Sequence, residues 1–115
     1  MLSAFLRPGT AALRQALQKG RFQSKTPVMR ALNEDLIKAV DLALAGDWDA
    51  AHQLVQQHEN LATAAWIHAV LHKIEGDAAN SRYWYQHADR MDHVADEPRA
   101  ELAAVRTELL SRRTA

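Results

Sequence analysis

His68, His72 and Glu75 are spaced by four and three residues, so on a helix they stack along one side and can turn two imidazoles and a carboxylate toward one ligand. That donor set suits zinc or another divalent transition metal. His87 is a natural fourth donor from the next helical segment, with Asn80 available to orient a ligating imidazole. The same groups have a structural use as well. A neutral imidazole donates one hydrogen bond and accepts one, so His68 and His72 can be satisfied by Asn80, Tyr83 and His87 in a polar seam that needs no metal.

Other chemistry finds less support in the sequence. The pattern HxxxHxxE lacks the glutamate that follows the first histidine in HExxH zinc proteases. A histidine and a carboxylate can share acid and base work, yet no nucleophile or oxyanion hole accompanies them. Ser81 falls within a helical pattern, and no Gly-rich phosphate loop occurs anywhere in the chain. No residue is therefore assigned a catalytic role.

These groups lie on a stretch from residue 62 to 91 whose apolar period is 3.6, interrupted once at Gly76-Asp77. Trp66, Ile67, Val70, Leu71 and Ile74 form an apolar arc on its first half, which makes the histidine side a second, polar face. Asn80, Tyr83, Trp84, His87 and Met91 follow one side of its second half. The expectation is a helical hairpin with Tyr83 and Trp84 facing its core and Tyr85 on its flank. An aromatic patch at a partner interface is the other use of these rings.

The remaining elements support that hairpin. Helices are expected over residues 31–45, 49–58, 62–75, 78–91 and 98–111, with Gly46 and Gly76 as left-handed stops and Asp47 or Asp49 as a cap. Trp48 should wedge between the two helices that meet at the first bend. The last helix offers Leu102, Val105 and Leu109 to the body, with Asp96 as its cap and Pro98 in its first turn. Its outer side should face water.

At 115 residues the chain has the size of one domain. It has no cysteine, which excludes disulfides, thiol catalysis and cysteine-ligated metal, and agrees with a reducing, cytoplasmic setting. No apolar run approaches the roughly 20 residues of a membrane span. The formal net charge of zero hides an asymmetry, because residues 1–30 carry Arg7, Arg14, Lys19, Arg21, Lys25 and Arg30 without an acid. Residues 1–27 thus read as a basic arm, and residues 28–115 as a helical domain. The arm resembles a mitochondrial presequence, which makes mitochondrial localisation the alternative in a eukaryote. The acidic body disfavours nucleic acid as a partner of the main domain.

The two Gly-Asp turns stand 30 residues apart, and each joins an apolar-striped helix to a second one. Gly46, Asp47, Trp48, Ala51 and Val55, then Gly76, Asp77, Tyr85 and Ala88, resemble the turn and packing positions of tetratricopeptide-type helical repeats. Ala39 and Ala69 stand where a small residue lets helices approach. Ser81 and Ala78 depart from that pattern, as do His68 and His72, which replace large apolar groups. The period also falls short of the roughly 34 residues of that repeat. The stretches GDWDAAHQLVQ and AAWIHAVLHKIEGDAANSRYWYQHA are similar to a group of small uncharacterised bacterial proteins, which implies a fold relation and no activity.

The resemblance implies an all-α protein: two stacked antiparallel hairpins with a C-terminal capping helix. Such a protein serves as an interaction or assembly module, through a protein partner or self-association, without cofactor or membrane. The alternative is a metal-dependent helical enzyme built on His68, His72 and Glu75, with His87 as a further ligand.

Overall fold

Thr26 opens the first helix: its hydroxyl accepts from the Met29 N–H at 3.1 Å, and Pro27 occupies the first turn, where its missing N–H costs nothing. The computed structural model describes residues 26–114, with side chains through Arg112, so nearly all of the basic arm lies outside the described residues. Among the described residues five α-helices occur in order: α1 (Pro27–Leu44), α2 (Trp48–Gln56), α3 (Ala62–Glu75), α4 (Ala78–Ala88) and α5 (Pro98–Thr114). A short 3₁₀ turn, Met91–His93, lies between the last two, and no strand occurs among the described residues.

α1 and α2 form one hairpin and α3 and α4 another, each closed at a Gly-Asp turn. Gly46 and Gly76 both adopt φ of 88°, where the absence of a Cβ removes the steric penalty. At Gly76 the Asp77 N–H bonds to the His72 carbonyl and the Gly76 N–H to that of Lys73, and Gly46 repeats the pattern. The aspartates then start the next helices, with Asp47 accepting from the Ala50 N–H and Asp77 from that of Asn80.

α4 ends at Ala88, three residues before the expected 91. Asp89 stops it at φ 59°, and the Arg90 and Asp89 N–H groups bond back to Tyr85 and Gln86 in the same manner as at the glycines. Aspartate tolerates this conformation better than most residues with a Cβ, so the stop carries no glycine to announce it. At the start of α5, Glu97 rather than Asp96 accepts from the free N–H groups, at 3.1 Å from Arg99 and 2.8 Å from Ala100. Those two bonds hold the Glu97 carboxyl below the usual carboxylate range.

α3 is the centre of the fold, packed against α1, α2, α4 and α5. Ten consecutive residues, Thr63 to His72, are buried, so the helix has no polar face of the kind its sequence suggests. Ile74 falls beyond that run and is exposed, a correction to its expected place in the apolar arc. α5 lays Leu102, Val105 and Leu109 against the body while Ala103, Ala104 and Thr107 face water, as expected of a capping helix.

Candidate metal centre

His68 and His72 stand one turn apart on buried α3, with their rings stacked at 4.8 Å between centroids. The third ring at this place is His52 of α2, which no spacing along a single helix points to. Its Nε2 lies 3.0 Å from Nε2 of His68, and its ring meets that of His72 at 5.3 Å. One donor nitrogen from each of the three lies within 4.8 Å of the others. The short connection over residues 57–61 sets this up, because it turns the chain so that α3 packs against α2.

Glu75 completes the arrangement from outside: its carboxylate is 2.8 Å from Nδ1 of His72, one turn along the same helix. That bond fixes the tautomer and leaves Nε2 of His72 as the nitrogen free to bind. Asp77 stands close to His72 and Glu75 and adds negative charge at the edge of the cluster.

Aromatic rings fix the other faces. Trp48 stacks on His52 at 4.5 Å and donates its indole N–H to the Leu71 carbonyl at 2.6 Å. Trp48 thus locks α2 onto α3, a correction to its expected place between the two helices of the first bend. Trp84 of α4 stacks on His68 at 4.1 Å. Burial, reinforced by His52 and His72, pushes His68 down to about 3, so its imidazole is neutral at ordinary pH. His52 is lowered as well, mainly by burial and then by His72, against the opposing charges of Glu75, Glu59 and Asp49. Neutral imidazoles are the form that binds metal.

The seam expected between the hairpin helices takes a different form. Neither His68 nor His72 is hydrogen-bonded to Asn80, Tyr83 or His87, and Nδ1 of His68 is buried with no partner. Asn80 is exposed at the start of α4, and its backbone is used in the Asp77 cap. Tyr83 is 55% exposed and Trp84 is half-buried, whereas Tyr85 is fully buried. This reverses the expected assignment of Tyr83 and Tyr85. α4 is rotated so that Ser81, Tyr85 and Ala88 face α3, with the Ser81 hydroxyl donating to the Ala69 carbonyl at 2.8 Å. His87 is exposed and packs on Trp84 and Tyr83.

A second polar cluster lies under α5. Glu101 is 2% exposed, and its carboxylate accepts from the Tyr85 hydroxyl at 2.7 Å, the Trp66 indole at 2.7 Å and Lys73 at 2.8 Å. Lys73 also donates to the His93 and Asp96 carbonyls, tying the 3₁₀ turn and its adjoining loop to the core. With the lysine ammonium directly on the carboxylate, this cluster reads as an internal strut rather than a metal site. Its burial and the bond to Glu101 raise the Tyr85 hydroxyl well above its ordinary value.

No family model matches the chain, and comparison with curated proteins and with solved structures returned no significant match. No helix among the described residues is long and apolar enough to cross a membrane.

Proposed function

We propose that this protein binds one divalent transition-metal ion through His52, His68 and His72, with Glu75 orienting His72. The observation that carries the reading is the convergence of three ring nitrogens within 4.8 Å, with a carboxylate bonded to Nδ1 of His72. Metal–nitrogen bonds of about 2.0–2.1 Å in a tetrahedral site place neighbouring nitrogens about 3.3–3.4 Å apart. The 3.0 Å between His52 and His68 is a few tenths of an ångström short of that spacing, and the spread of up to 4.8 Å among the three nitrogens means that the rings must draw together on the ion. Imidazole donors favour zinc, copper, nickel or iron over magnesium or calcium.

Three protein ligands leave a fourth position for water or an exchangeable ligand, and a bound ion there would act as a Lewis acid. Metal-dependent catalysis is thus the activity that this donor set suits, with His68 and His72 as the ligands that their spacing suggested, Glu75 orienting His72 instead of ligating, and His52 in place of His87. Metal analysis of protein purified without a histidine tag tests the first step. A ratio near one, lost in His52→Gln and His72→Gln and accompanied by a chelator-sensitive melting temperature in the parent alone, is the expected result. A metal-free protein that takes up no zinc, cobalt or copper on titration would show that the three rings are packing groups.

A second reading rests on the outer surface. Tyr83, Ile74 and Met91 are large apolar side chains left 55%, 44% and 39% exposed, which favours an interaction or assembly module. Sedimentation of the parent and of Tyr83→Ser tests it, with self-association weakened in the variant.

A further inference from the structure

A cavity of about 420 Å³ opens at the far end of the bundle, where the start of α1, the start of α3 and the end of α5 meet. Its size falls in the range of small-molecule sites. Met29, Leu32, Leu36 and Leu61 supply an apolar lining, while Asn33, Thr63 and Arg112 supply polar groups.

Those polar groups share one character: they donate. Asn33 is 2% exposed, and its amide nitrogen is buried without a hydrogen-bond partner, an omission that folded proteins rarely leave unfilled. α3 begins here with Leu61 at its cap position, so no side chain accepts from the first free N–H groups of a 14-residue helix. The other interior helix starts, at α2 and α4, are capped by aspartate. Thr63 accepts from Arg112 at 2.9 Å and keeps its own hydroxyl hydrogen to donate. A partial positive charge from the helix end adds to the guanidinium.

The charge count narrows the ligand further. Arg112 and Arg90 both reach one carboxylate, Glu108, at 2.6 and 3.4 Å. Of the two only Arg112 lines the cavity, where it is the one charged side chain, and a single guanidinium complements a monoanion better than a dianion. A carboxylate also fits planar donors such as Arg112, and the apolar lining calls for an aliphatic body.

We infer that this cavity binds an aliphatic monocarboxylate, with its head group at Arg112, Asn33 and the start of α3 and its chain against Met29, Leu32, Leu36 and Leu61. The site is independent of the histidine cluster. Titration of the full chain with sodium octanoate, monitored by calorimetry and by amide NMR, tests it, with octan-1-ol and octyl phosphate as comparators. Octanoate should bind saturably at one site and shift the amides of Ala62, Thr63 and Ala64. Octan-1-ol should bind at least about tenfold more weakly, as should octanoate to Arg112→Met, because each loses charge-assisted hydrogen bonds. Asn33→Leu should weaken octanoate while leaving the protein folded and no less stable, an outcome that separates recognition from structural support. Leu32→Trp should block the cavity and abolish binding in a protein of unchanged helicity. Absence of saturable binding to the full chain, equal affinity for octan-1-ol, tighter binding of octyl phosphate, or retention of affinity in Arg112→Met would each overturn the inference.

Discussion

Glu101 offers the sharpest test of how the helices are held. Its fully buried carboxylate is the common acceptor for Tyr85, Trp66 and Lys73, so replacing it by leucine strands three donors at once. Breaking one side of a buried charge pair costs about 3–5 kcal/mol, because the remaining charge keeps its desolvation penalty. The two neutral donors add about 1 kcal/mol or more each where water cannot reach them. Lys73 moderates the total, since it is partly accessible and keeps the His93 and Asp96 carbonyls. A loss of roughly 3–5 kcal/mol is therefore expected, against a typical stability of about 5–15 kcal/mol for a whole domain. Urea denaturation monitored by far-UV circular dichroism measures it directly. The conservative Glu101→Gln should lose less, since the amide oxygen still accepts one donor, and Lys73→Met should lose a comparable amount by leaving the carboxylate without its cation. In a double-mutant cycle, Lys73→Met should cost much less once Glu101 is glutamine. Additive effects, or a Glu101→Leu variant within about 1 kcal/mol of the parent, would refute the reasoning that this carboxylate holds α3, α4 and α5 together.

The other predictions concern the turns and the histidines. Gly46→Ala and Gly76→Ala should each cost about 1 kcal/mol in denaturation experiments. The cost is purely conformational, because an added Cβ meets nothing within 4 Å at either position. Trp48→Phe keeps the stack on His52 but removes the bond to Leu71, and should lower stability by about 0.5–1.5 kcal/mol. Because burial lowers His68 to about 3, the unfolded chain binds its proton more readily than the folded one. That contribution to stability is complete above about pH 6.5 and is lost progressively as the pH falls toward 3, at up to about 1.4 kcal/mol per unit. The lowering of His52 acts in the same direction. His68→Phe should flatten this part of the stability–pH curve between pH 6.5 and 4, and an unchanged slope would contradict a neutral buried His68.

Local signals determined the helical elements. Gly46 and Gly76 need a left-handed conformation, Asp47 and Asp77 cap the helices that come after them, and apolar residues recur at the helical period, so the two hairpin turns were legible before any packing was known. The pairing of His68, His72 and Glu75 on one helix was legible for the same reason, since spacings of three and four are set by the helix itself. Their surroundings were not. Which residues face one another across helices depends on the rotation of each helix about its axis, and Tyr83 and Tyr85 exchange roles with a modest rotation of α4. His52 joins the cluster only because α3 packs against α2, and Glu101 reaches Trp66 and Lys73 across 35 and 28 residues of chain. No periodicity encodes those distances. A buried carboxylate on a capping helix looks like any solvated one until its donors arrive, because desolvation and pairing are properties of the assembled core and not of the segment that carries the residue.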